Sequence, residues 1–268
     1  MARAQVERFA GEVDRLYLGG HSVGAAIATV LALERDDVAG LVALAPMWEL
    51  NGLRSYLWLA TMAEPFVDFL EREPEINPVK YESLAVNVGD EVGEVRERVQ
   101  VALRHAGEVD LPTLLVATAA DSVINLDYLQ RTFRERLVHP RSRLVLYRDT
   151  RAPRPDWWND ARMVAYHAHR PSERILEMSH QSLPVAPDNP LYGRGAPLQH
   201  CLEPNGTDRA TCLAAPRERV WYGAYHDASP DDRIVSRLTW NPHFDALVDH
   251  VAALLGVDGV RIARAPRE

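Results

Sequence analysis

The sequence predicts an α/β fold: a mostly parallel sheet flanked by helices. Two observations carry this. Near-continuous apolar runs of strand length recur along the chain, as strands buried on both faces require. The segments between them show helical spacing instead of hairpin turns, so successive strands are joined by crossovers and lie parallel.

The elements follow in order. Residues 2–13 place Val6, Phe9 and Val13 on one helical face. Residues 15–19 form a short apolar run bounded by glycines, which suits a strand. Residues 23–33 are small or aliphatic except for Thr29, which predicts a helix buried all round and packed close to the sheet. Residues 38–45 read as the next strand. From 46 to 109 the pattern changes. Trp48, Tyr56, Trp58, Phe66 and Phe69 cluster among prolines, and Val92, Val95, Val99 and Leu103 follow at helical spacing. This stretch reads as an insertion between sheet strands, most simply a helical cap or lid. Its aromatics are either core between helices or substrate-facing. Residues 111–118 return to strand character, 126–137 to helix and 142–147 to strand. A polar, Pro- and Trp-containing excursion then runs to about 171. Residues 173–178 form the last candidate sheet strand, and residues 220–225 are extended. In the terminal helix Phe244, Leu247, Val248, Val251, Leu254 and Leu255 share one face, and Gly256 closes it. With no internal repeat, residues 1–268 read as a single domain carrying the 46–109 cap.

Composition narrows the class. The 268 residues are 47% hydrophobic and 25% charged, enough for a substantial core. A net charge of −8 with interspersed signs argues against nucleic acid or an anionic membrane as partner. The basic cluster at 148–154 is broken by Asp149 and Pro153, is followed by Pro155, and reads as a solvated loop. No apolar run is long enough for an integral membrane segment. Neither metal-ligand spacing nor a phosphate-cradling glycine loop is present, so no metal and no cofactor are expected. Cys201 and Cys212 flank a turn-rich segment and are either a disulfide or two free thiols, which leaves the compartment open between cytoplasm and periplasm. The oligomeric state is not legible.

The chemistry centres on Gly20-His21-Ser22-Val23-Gly24. This matches G-x-S-x-G, in which a serine sits on a tight strand-to-helix turn with its hydroxyl exposed above a sheet. A preceding apolar strand and a following small-residue helix supply the context that the motif needs. Side chains at Gly20 or Gly24 are expected to collide with the adjacent helix or strand. A serine hydroxyl needs a neighbouring base, usually histidine, oriented by a carboxylate. Asp121 follows the 111–118 strand and His180 follows 173–178, giving the order Ser, Asp, His with each residue just past a strand. Asp127 and Asp149 are rival acids. Among the ten histidines, His180 alone combines a preceding strand with a position downstream of Asp121. His21 is expected to point away from the Ser22 hydroxyl.

The elbow, the Asp121 loop and Met178-Ser179-His180 resemble the α/β-hydrolase superfamily, nearest to bacterial esterase and lysophospholipase-like serine hydrolases. The resemblance implies acylation of Ser22 by a small-molecule ester, proton transfer by His180, orientation of the imidazole by Asp121, and the Val23 N–H as one oxyanion donor. A peptidase, a thioesterase or a non-catalytic hydrolase-like module shares the same pattern. The elbow lies unusually early, so the fold is expected to be N-terminally incomplete, with no residues for the loop that normally gives the second oxyanion donor.

Overall fold

The computed structural model describes residues 1–52, 69–71, 83–85, 87–155, 158–198, 201, 209–224 and 233–257. In chain order the elements are α1 (Ala2–Ala10), β1 (Leu16–His21), α2 (Val23–Leu33), β2 (Val38–Leu44), β3 (Phe69–Glu71), β4 (Leu84–Ala85), α3 (Val88–Ala106), β5 (Thr113–Thr118), α4 (Leu126–Arg136), β6 (Arg143–Arg148), β7 (Met163–His167), α5 (Arg209–Ala214), β8 (Val220–Gly223), β9 (Ile234–Arg237) and α6 (Phe244–Leu255). Five strands form one sheet in the order β1-β2-β5-β6-β7. Every pairing in it is parallel. β3 and β4 form a short antiparallel pair, and β8 and β9 a separate parallel pair.

Burial follows the apolar pattern. All six residues of β5, the central strand, are buried; it lies between β2 and β6 in the sheet and packs against α6. Ala25 and Ala26 of α2 are fully buried; with no side chain beyond Cβ they let this helix approach the sheet closely. α4 begins at Asn125, whose side chain accepts a hydrogen bond from the Tyr128 N–H, satisfying one of the free donors of the first turn. α6 buries Leu247 and Leu254 and ends at Gly256, whose φ of 68° gives the left-handed closure expected of it.

Three sequence expectations need correction. The first helix forms, but none of its residues is buried, and Phe9 and Val13 are each 47% exposed. The last strand of the main sheet is β7, inside the supposed polar excursion. It lies at a sheet edge with only Met163 buried, so its sequence lacks the continuous apolar run of a covered strand. Residues 173–178 are not in that sheet. Ile175 makes isolated bridges to Arg170 and Tyr222, next to the small β8–β9 sheet. Ile175 and Met178 are fully buried, so their apolarity reports packing beneath a loop, not membership of a ladder.

Much of the segment expected to form a cap, residues 53–68, 72–82 and 86, lies outside the described residues, as do Tyr56, Trp58 and Phe66. Within the described part, α3 packs against α2 and sends Val99 and Leu103 into the core. Trp48 is also core: its indole N–H donates to Thr29 Oγ1 at 3.0 Å, and Thr29 donates on to the Ala25 carbonyl. Cys201 and Cys212 are joined by a disulfide, and both are buried.

Candidate active site

The elbow is formed by β1, Ser22 and α2. Ser22 has φ 55° and ψ −119°, a conformation costly for a residue with a Cβ. Hydrogen bonds on both sides of its peptide planes hold it there. Its N–H donates to the Leu44 carbonyl at 2.9 Å, and its own carbonyl accepts from the N–H groups of Ala25, Ala26 and Met47. The Met47 bond depends on the turn after β2, where Ala45 also takes a positive φ, 41°. At Gly20 a Cβ would lie 2.4 Å from the Gly24 carbonyl carbon, so glycine is required. At Gly24 a Cβ would meet nothing within 4 Å. The sequence expectation was therefore right for the first glycine and wrong for the second: Gly24 already lies on the outer side of the helix start. Val23 is the first residue of α2, so its N–H has no acceptor within the helix.

His180 and Asp121 meet Ser22 at this turn. His180 Nε2 is 2.9 Å from Ser22 Oγ, and His180 Nδ1 is 2.7 Å from Asp121 Oδ2. The Asp121 side chain is fully buried and that of His180 is 11% exposed. Asp121 Oδ1 accepts from the N–H groups of Val123 (2.8 Å) and Ile124 (3.1 Å). Both carboxylate oxygens are thus committed, one to the backbone and one to the imidazole. The acid loop is tied in turn to the chain after β2, where Asn125 N–H donates to the Glu49 carbonyl and Asn51 N–H to the Val123 carbonyl.

The rival groups are engaged elsewhere. Asp149 is bound by Arg151 and faces His167 at 3.5 Å; the guanidinium holds its carboxyl well below the usual carboxylate range. Asp127 lies in the first turn of α4. His243 Nε2 donates to the His167 carbonyl, and the His250 ring meets the Tyr166 hydroxyl. His200 and His226 lie outside the described residues.

The sequence reading missed what holds His180. Ser179 caps the short 3-10 turn His180–Ser182 and donates its hydroxyl to the Leu238 carbonyl at 2.6 Å. Thr118 Oγ1 donates to the Met178 carbonyl. His21 has a partner that the sequence did not reveal: its Nε2 lies 2.9 Å from the His180 carbonyl oxygen, and the two rings are 4.9 Å apart. Burial pushes the His21 pKa down to about 4, with the neighbouring His180 acting in the same direction. Only adjacency to Ser22 could have drawn attention to it.

Residues 1–151, just over half of the chain, match the family model described as serine aminopeptidase, S33. The chain belongs to this S33 hydrolase family. Its sheet and flanking helices have the α/β-hydrolase fold. Similar solved structures include the monoacylglycerol lipase of Paleococcus ferrophilus, at 20% identity, 54% of this chain, 63% of that chain and a TM-score of 0.41. Another is a soluble variant of monoglyceride lipase from Saccharomyces cerevisiae, at 13% identity, 55% and 56% coverage and a TM-score of 0.41. The S33-family chain thus spans about three-fifths of the length of these structures. No curated protein matches it.

Proposed function

We propose that this S33-family chain is a serine hydrolase that cleaves carboxylic esters through an acyl-enzyme. The observation that carries the reading is the unbroken hydrogen-bonded line from Ser22 Oγ through His180 to Asp121. Ser22 Oγ attacks the acyl carbon as His180 Nε2 takes its proton. Asp121, acting only as an acceptor through both oxygens, fixes the imidazole with Nδ1 protonated and stabilises the imidazolium. The Val23 N–H faces the oxygen on which charge develops. His180 then returns the proton to the departing alkoxide, and water attacks the acyl-enzyme by the same route to release the acid and restore Ser22.

An ester makes the smallest demand on such a site, because an alkoxide leaves a tetrahedral intermediate more readily than an unprotonated amide nitrogen, which must first be given a proton. The family's description as an aminopeptidase favours a second reading, cleavage of an N-terminal amino acid. Residues 46–109 are proposed as the cap that shapes the acyl or alcohol site.

Hydrolysis of p-nitrophenyl butyrate and of aminoacyl p-nitroanilides by the full chain divides these readings. The ester reading expects turnover of the butyrate that falls by about a thousandfold or more in Ser22→Ala. Turnover of the anilides alone supports the peptidase. Well-folded protein inert to both is a hydrolase-like binding module.

A further inference from the structure

The two consecutive residues at the end of the elbow grip His180 at two different places. Ser22 meets its imidazole, and His21 meets its main-chain carbonyl at 2.9 Å. A carbonyl oxygen only accepts, so the proton on His21 lies on Nε2 and the bond runs from His21 to His180. The contact joins positions 159 residues apart, across the seam between the elbow and a loop with no strand of the main sheet in front of it. That loop begins after Met178 and carries His180 on a single 3-10 turn. Such a turn has little rigidity of its own, so the placement of the imidazole depends on what holds its backbone.

Resting on the proposed roles of Ser22 and His180, we propose that His21 is a positioning residue: its Nε2–H holds the His180 carbonyl and keeps the imidazole in register with Ser22 Oγ. The other two tethers, Thr118 to Met178 and Ser179 to Leu238, fix the loop before the histidine. Of these three tethers His21 is the one that reaches the main chain of His180 itself, and it does so from the nucleophile's own turn, so any shift of the elbow carries the base with it. Its neutral state serves the same end. A second cation 4.9 Å from the His180 ring would oppose formation of the imidazolium, and burial keeps His21 uncharged at neutral pH.

The test is the rate at which a fluorophosphonate labels the full chain, resolved into its maximal rate and its half-saturating concentration. His21→Phe keeps an aromatic ring but removes the donor. His21→Gln places an N–H at similar reach without the ring. The maximal rate is expected to fall about 10- to 100-fold in the Phe variant, as misplacement of a reacting group implies, with the half-saturating concentration unchanged. The Gln variant is expected to recover most of the loss, which a purely packing role would not allow. An unaffected Phe variant, or a Gln variant as slow as Phe, overturns the proposal. If the Phe variant does not fold, the Gln variant decides: a maximal rate near wild type supports the proposal, and a fall of about 10-fold or more overturns it. Ser22→Ala separates this from the underlying reading. Labelling abolished there but intact in His21→Phe removes only the role of His21, whereas labelling that persists in Ser22→Ala removes the Ser22 assignment.

Discussion

Thr118 Oγ1 donates a 3.0 Å hydrogen bond to the carbonyl of Met178, just ahead of His180. Thr118 is the last residue of β5, from which the chain turns to Asp121. One hydroxyl therefore ties the loop that carries Asp121 to the loop that carries His180, and it is fully buried. Thr118→Val keeps the shape and orphans the Met178 carbonyl. It is expected to cost about 1–3 kcal/mol in denaturant unfolding and to slow ester turnover. Wild-type stability and turnover would show that the two loops are set independently.

The two glycines of the elbow are expected to behave differently. Gly20→Ala forces a Cβ to 2.4 Å from backbone and is expected to prevent folding or abolish fluorophosphonate labelling. Gly24→Ala meets nothing within 4 Å, and its stability is expected within about 1 kcal/mol of wild type. Expression and thermal melting of both variants check this; equal damage at the two positions contradicts it.

Acid stability follows from part-buried histidines. Burial lowers the pKa of His21 from 6.5 to about 4, and burial also lowers those of His243 and His250. A depressed pKa means that the unfolded chain binds more protons through that window, so stability rises with pH there. Melting temperature is expected to be level above about pH 6.5 and to fall as the pH drops from 6.5 towards 4. His21→Gln is expected to flatten part of that slope. An unchanged slope in this variant would show that His21 titrates alike in both states.

How much of this was legible in the sequence depended on whether a residue's signal was local. Residues 38–45 and 111–118 announced their strands because both faces are covered, and the elbow announced itself because its turn tolerates few residue types. Asp121 was singled out by the strand before it, and His180 by chain order together with a strand reading of residues 173–178 that the fold does not bear out. The strand Met163–His167 was not legible, because an edge strand needs no continuous apolar run. Residues 173–178 misled for the converse reason: Ile175 and Met178 are apolar because a core lies beneath them. The tethers of His180 were invisible, since His21, Thr118 and Ser179 act through main-chain carbonyls whose identity the side-chain sequence does not record.

The disulfide joins two buried cysteines that lie 11 positions apart in the chain. Unreduced, denatured protein is expected to show no free thiol. Reduction, or Cys212→Ser, is expected to cost about 2–4 kcal/mol, the usual range for such a cross-link. Two titratable thiols in protein that has never met a reductant would contradict the bridge.

The central claim is that Ser22 is the nucleophile of a working triad. The most direct measurement is mass-spectrometric mapping of the full chain after treatment with a fluorophosphonate. One adduct is expected, on Ser22, absent from Ser22→Ala and formed orders of magnitude more slowly in His180→Ala and Asp121→Asn. Folded protein that carries no adduct, or carries it on another residue, would contradict the account.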